Sequence, residues 1–190
     1  MTKHLDLGCG GKPRNPYHCD KLFGLDQSNL FSSDNVRTCQ IGLEPFPFPK
    51  NYFDSVSAYD FLEHIPRQAV DYSNNKIRFP FIEVMQEIWR VLKPQGKFIA
   101  LTPVYPAKQA FQDPTHVNVI TTDTHWYFCG EEPHANRYGF SGRFEKIQVK
   151  SVLPEEVYGD HSLKLSWRKF RYVYFKGGLS HISWELIAIK

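Results

Sequence analysis

The chain has 190 residues, of which 42% are hydrophobic, 15% aromatic and 23% charged, with a formal net charge of +3. This composition describes one globular domain able to bury a core and excludes a disordered chain. The mild positive balance permits an anionic ligand without marking a nucleic-acid binder.

The chain opens on a short apolar strand, residues 4–7, that runs straight into Gly8-Cys9-Gly10-Gly11, where only a tight turn fits. A second run, residues 22–25, ends on Asp26. A third, residues 36–41, gives way to a proline-rich loop over 44–50, and a fourth, residues 53–59, ends at Asp60. Then Phe81, Met85, Ile88 and Leu92, with Ile82 and Trp89 widening the stripe, predict an amphipathic helix closed by Pro94-Gln95-Gly96. Residues 97–101 read as a buried strand. Residues 104–142 are too long for a simple connection and are read as a substrate-lid insertion. Residues 144–152, 163–175 and 181–189 all read as strands, the last two forming an antiparallel hairpin turned by Lys176-Gly177-Gly178. The order implies an α/β fold with a mostly parallel sheet and an antiparallel finish.

No apolar run approaches the roughly 18 to 20 residues of a membrane span. MTKHLDLGCG carries no basic-then-apolar leader, so a cytoplasmic location is expected. The four cysteines form no C-x-x-C pair and read as free thiols. The eight histidines form no H-x-x-x-H pair, so no structural zinc site is expected. Asp60, Glu63 and His64 together offer ligands for a divalent ion, but their spacing marks none, and no metal is assigned. With no repeat or linker, residues 1–190 read as one domain: a cofactor-binding half (1–103), the lid (104–142) and C-terminal strands (143–190).

Ligands of open α/β sheets sit beyond the carboxyl ends of the strands. The glycines after the first strand let a ligand touch backbone. Asp26, ending the second strand, is placed to accept hydrogen bonds from both hydroxyls of a ribose. A dinucleotide fingerprint fails because Pro13 occupies the third glycine position. Pro13 and Pro16 also leave little room for the helix that usually holds a pyrophosphate. A nucleoside without pyrophosphate fits better.

Asp6-Leu7-Gly8-Cys9-Gly10, Asp26, the stretch from Pro45 to Asp54, Leu62-Glu63-His64-Ile65, and Trp89-Arg90-Val91-Leu92-Lys93-Pro94-Gln95-Gly96 together resemble the class I S-adenosylmethionine-dependent methyltransferases, the small type 11 group most closely. The resemblance implies a Rossmann-like seven-stranded sheet whose last two strands form an antiparallel hairpin. It implies S-adenosyl-L-methionine as cofactor. Asp6, Gly8, Cys9 and Gly10 would then line its methionine portion, Asp26 and Gln27 its ribose, and Gln40 and Ile41 its adenine. Tyr59 would offer its carbonyl to the ammonium. Cys9 is in this reading a loop residue and not a nucleophile.

Many relatives carry cover helices before the first strand; here they are absent, so residues 66–80 and 104–142 must shape the substrate pocket. The second segment holds Asp113-Pro114-Thr115-His116 among Tyr105, Phe111, His125, Trp126, Tyr127, Phe128, Tyr138 and Phe140. Such rings suit either stacking on a sugar or the core of a lid. An oxygen nucleophile must lose a proton as it takes a methyl group, which points to His64 and His116 as bases and to Asp113 as a residue orienting His116. The alternative is that Asp113 and His116 cap a turn. The expected activity is methylation of a saccharide or other small acceptor, at oxygen. The rival readings are a non-catalytic scaffold of the same fold and an N-methyltransferase. The basic-aromatic stretch 164–176 is read as edge-strand protection rather than a nucleic-acid surface. The missing cover leaves an apolar face that a second subunit could bury, so a homodimer fits either reading.

Overall fold

The computed structural model describes residues 1–158, 163–175 and 178–190. The described residues form nine strands: β1 (Lys3–Leu7), β2 (Lys21–Asp26), β3 (Val36–Thr38), β4 (Phe53–Tyr59), β5 (Ala69–Asp71), β6 (Lys76–Arg78), β7 (Leu92–Pro103), β8 (Arg143–Val152) and β9 (His181–Ile189). Seven form one sheet in the order β3-β2-β1-β4-β7-β9-β8, while β5 and β6 pair as a separate hairpin between β4 and the first helix. The pairs β3–β2, β2–β1, β1–β4 and β4–β7 are parallel; β9 runs antiparallel to both β7 and β8. The chain winds outward from β1 to β3, then returns to place β4 on the other side of β1. That reversal opens a crevice at the carboxyl ends of β1 and β4.

One face of the sheet is apolar. Leu5, Leu7, Val56, Ala58, Phe98, Ala100, Trp184 and Leu186 are all at most 1% exposed and pack on it. Helix α1 (Pro80–Val91) covers them with Val84, Met85, Ile88 and Val91. Pro80 opens α1 at a position where its missing N–H costs nothing. Glu87 and Arg90, 2.6 Å apart, hold the proline-rich loop: Glu87 accepts from Phe46 N–H, and Arg90 donates to the Phe46 and Phe48 carbonyls. Ile120, Phe128 and Phe140 of the 104–142 segment enter the same core.

The opposite face is polar at its centre, and it is not covered by a helix where β1 joins β2. Residues 11–20 make that crossover as irregular chain. Beneath them, His4 and Asp6 of β1 lie beside Ser55 and Ser57 of β4. His4 Nδ1 is 2.7 Å from Ser55 Oγ and Nε2 is 2.8 Å from Ser57 Oγ, whose own hydroxyl donates to Asp6. Tyr17 closes the far side by donating to Glu185 at 2.9 Å. A buried polar layer of this kind is stable only because each member has a partner.

Four expectations are corrected. The stretch Leu163–Phe175 is helix α3, not a strand. Its aromatics and Val suit either state, but Trp167, Phe170 and Tyr174 recur at helical spacing, and the Phe170 and Tyr174 rings meet at 4.6 Å. Arg168 and Lys169 dock α3 on Glu155 and Glu156 of the short helix α2 (Pro154–Val157) at 2.6 and 2.7 Å. The partners in the antiparallel hairpin are thus β8 and β9, with α2 and α3 between them. Of the expected turn, Lys176 and Gly177 lie outside the described residues. The reading of 164–176 as edge protection falls with the strand. The third strand also stops at Thr38, short of Gln40 and Ile41.

Burial pushes the His4 imidazole from 6.5 down to about 4. Protonation therefore favours the unfolded chain: the stabilisation is complete above pH 6.5 and is lost as pH falls through 4. Urea unfolding of the wild type between pH 7 and pH 4 should show a decline of roughly 3 kcal/mol from this group. In His4→Gln that part of the slope should be missing.

Candidate functional site

The segment after β1 is built around left-handed glycines. Gly8, Gly10 and Gly11 have φ of 63°, 55° and 79°. At Gly8 an added Cβ would lie 2.3 Å from the Phe61 ring, so the residue after Asp60 packs directly on the glycine loop. Gly10 faces open space on its Cβ side. The loop's N–H groups find fixed acceptors: Gly8 donates to the Leu25 carbonyl, Gly10 to Asp26 Oδ2 and Arg14 to Asp6 Oδ2, each at 2.8 Å. Burial raises the Asp6 carboxyl to about 6, against the pull of Ser57 and the Arg14 N–H. Cys9 is buried against Gly24, and burial raises its thiol, as suits a packing residue.

Asp26 is half-buried at the end of β2. Its two oxygens each accept one backbone N–H, from Ser28 at 2.9 Å and Gly10 at 2.8 Å, which leaves acceptor capacity on both. Gln27 and Gln40 are exposed beside it, whereas Ile41 is buried at 4% exposure. The Gln40 N–H donates to Glu44.

At the end of β4 the Tyr59 ring is buried and carries the Arg14 guanidinium over it at 4.8 Å, with Tyr158 on the guanidinium at 5.0 Å. These three residues, with Asn15, Pro16 and Val157, line a cavity of about 470 Å³. Arg14 is the cation in that lining. The sequence reading missed it, although a basic residue straight after Gly-Gly-Lys-Pro was visible; its partner Tyr158 lies far along the chain.

Beyond Tyr59, Asp60 has a left-handed φ of 48° and accepts the Tyr158 hydroxyl at 2.6 Å, with His181 Nε2 3.4 Å away. Asp60 is not in the group of ligand atoms that Glu63, His64 and His116 bring together. Instead residues 113–118 reach the site: Val117 and Asn118 N–H groups donate to the Glu63 carbonyl at 2.9 and 3.1 Å. The His64 and His116 rings then meet edge to face, 4.6 Å between centroids. Glu63 is 2% exposed, and neither of its carboxylate oxygens has a hydrogen-bond partner among the described residues. Burial, with Asp60 and Asp113 nearby, pushes its carboxyl up to about 8. Asp113 caps its turn by accepting the Thr115 N–H and hydroxyl, and its other oxygen stands 4.0 Å from His116 Nε2. That is too far for a hydrogen bond. It is the Ala110 carbonyl, 3.4 Å from Nδ1, that faces the other ring nitrogen of His116.

The aromatic residues divide. Phe128 and Phe140 are core, and His125 is buried between Trp126 and Trp184. Tyr105 and Phe111 are more than half exposed and touch edge to face beside Ala110.

With this geometry in view, comparison with known proteins is direct. The model of the family described as methyltransferase domain, type 11, matches residues 5–100. A methyltransferase from Mesorhizobium loti is 13% identical with a TM-score of 0.62, over 97% of this chain and 90% of its own. One from Archaeoglobus fulgidus is 16% identical with a TM-score of 0.56, over 98% and 86%. The [4+2]-cyclase SpnF is 16% identical with a TM-score of 0.60, over 99% and 74%. No curated protein matches. The chain belongs to the type 11 methyltransferase family, class I S-adenosylmethionine-dependent enzymes, and S-adenosyl-L-methionine is its cofactor. None of the described helices is long and apolar enough to cross a membrane.

The residues present fit that cofactor: an open glycine cradle at Gly10, free acceptor capacity on Asp26, and a guanidinium in the adjoining cavity. Arg14 is the group suited to the cofactor's carboxylate. Arg14→Ala is expected to weaken S-adenosylhomocysteine binding about tenfold or more. Affinity for 5′-methylthioadenosine, which lacks the amino-acid tail, should be unchanged. Calorimetric titration of both ligands checks this.

Proposed function

We propose that this protein transfers a methyl group from S-adenosylmethionine to an oxygen of a saccharide or similar small acceptor. One observation carries the reading: two histidines and a buried carboxylate converge directly beyond β4, next to the glycine loop. An oxygen acceptor has to be stripped of its proton, and a convergent His/Glu group is the chemistry that serves this need.

Bound S-adenosylmethionine supplies a methyl on a positively charged sulfur. The chain's own residues orient and shield. Asp26, with Gln27 beside it, holds the ribose; Gln40 and Ile41 flank the adenine. The backbone of Gly8, Cys9 and Gly10 follows the methionine portion, closed by Arg14 and the Tyr59 carbonyl, while Asp6 fixes the loop from beneath. His64 and His116 face the acceptor hydroxyl. Their free ring nitrogens are both Nε2, because the Nδ1 atoms lie against Thr115 Oγ1 at 2.9 Å and the Ala110 carbonyl at 3.4 Å. Burial, with His116 beside it, lowers the His64 imidazole and keeps it neutral at pH 7. The exposed Tyr105 and Phe111 rings offer the apolar faces on which a pyranose stacks. With the acceptor held in line behind the sulfur–methyl bond, positioning supplies much of the acceleration.

The test is methyl transfer to a panel of saccharides, phenols and amines, with the product bond identified by mass spectrometry. An O-methyl product is expected. His116→Ala should lower kcat by about 10²- to 10⁴-fold with S-adenosylmethionine affinity intact. An N-methyl product, or full activity in both His116→Ala and His64→Ala, would contradict the reading.

A further inference from the structure

How the cluster acts on the acceptor follows from Glu63. A carboxyl 2% exposed whose oxygens meet no donor is costly to ionise, and a cation beside it would supply the partner that both oxygens lack. Glu63, His64 and His116 each bring one ligand atom to within 4.8 Å of the others. His116 Nε2 stands 4.0 Å from Glu63 Oε1.

The second layer is also arranged for an ion. Thr115 Oγ1 gives its proton to Asp113, so it accepts one from His64 Nδ1; the Ala110 carbonyl can only accept, so His116 Nδ1 carries a proton too. Both rings are thus held in the tautomer that leaves the Nε2 lone pair bare, that of His116 facing Glu63. Outer-shell oxygens on Nδ1–H orient metal-binding histidines in this same way.

We propose that Glu63, His64 and His116 bind a first-row transition-metal dication and that the acceptor's oxygen takes a position on it. The assignment of the acceptor rests on the O-methyltransferase reading above. Two imidazoles and one carboxylate suit Mn²⁺, Co²⁺ or Zn²⁺ better than Mg²⁺. Three protein ligands leave a position open, and an ion there makes a bound hydroxyl more acidic. With both Nε2 lone pairs on the ion, the histidines serve the proton's loss through the ion and not as its acceptors, and the hydroxyl proton passes to the solvent-facing Asp113 carboxylate. An oxygen lone pair then forms the new C–O bond as the S–C bond breaks onto sulfur, leaving S-adenosylhomocysteine. Asp60 stays outside the ligand set, engaged by Tyr158 and His181.

The test is titration of chelator-stripped protein with Co²⁺, Mn²⁺, Zn²⁺ and Mg²⁺, followed by calorimetry and, for Co²⁺, by visible absorption. One transition-metal ion per chain is expected, with Mg²⁺ failing to displace it. Glu63→Gln and His116→Gln should each weaken binding by roughly 100-fold. Thr115→Val, on an exposed turn, should weaken it by about tenfold without disturbing the buried carboxylate. S-adenosylhomocysteine is titrated into the same samples, and its binding should survive all three substitutions. Wild-type affinity for Co²⁺ no better than that of His116→Gln, with S-adenosylhomocysteine still bound, would overturn the metal site while leaving the methyltransferase reading intact. Metal binding that persists with no S-adenosylhomocysteine binding would instead overturn the cofactor reading and leave the ion site standing.

Discussion

Residues 8–14 have no regular structure, so their backbone N–H groups need partners outside any helix: Gly8 and Cys9 turn to the Leu25 carbonyl and Lys12 to that of Cys9. The shape of the rest of the loop depends on two carboxylates. Asp26 receives Gly10 and Asp6 receives Arg14, each at 2.8 Å. Unpaired backbone donors in a partly buried loop are costly, so these bonds fix the loop where a helix would otherwise do so. Asp6 is in turn held by Ser57 and, through Ser57, by His4. A chain of polar contacts across β1 and β4 therefore sets the shape of the cradle and carries Arg14 to the Tyr59 ring.

The same dependence explains why the two sheet faces differ. Buried parallel strands usually read as continuous apolar runs. Here Leu5 and Leu7 alternate with His4 and Asp6, and Val56 and Ala58 with Ser55 and Ser57. The apolar side is closed by α1 and by Ile120, Phe128 and Phe140 of the 104–142 segment. The polar side supports an irregular covering of residues 11–20 and leads to the site. Phe61 joins the two sides: its ring presses on Gly8, while Glu63 and His64 follow it to meet His116.

Much of this is legible in the chain itself. The strands β1, β2 and β4, helix α1 and the core of β7 follow from periodicity ended by glycine, aspartate or proline, because local signals and tertiary packing agree there. Gly8, Gly10 and Asp26 were legible for the same reason, since strand ends define the crevice. α3 was not: KLSWRKFRYVYF combines β-favouring side chains with helical spacing, and its Arg168 and Lys169 find their partners, Glu155 and Glu156, only in the folded chain. Nor was the Glu63–His64–His116 group legible as a set. His64 and His116 were visible singly, but it takes long-range hydrogen bonds, from Val117 and Asn118 to the Glu63 carbonyl and between His64 and Thr115, to bring them together. Asp60 was considered with Glu63 and His64 on a spacing that marked no site, and in the fold it accepts the hydroxyl of Tyr158, a residue 98 positions downstream.

The central claim is that this helix-less loop, pinned by Asp6 and Asp26, is a working nucleoside site. Calorimetric titration of S-adenosylmethionine and S-adenosylhomocysteine into the wild type and Asp26→Ala tests it most directly. The account predicts micromolar binding of both ligands to the wild type and loss of both in the folded variant. Absence of binding to a folded wild-type chain, or equal binding to Asp26→Ala, would contradict it.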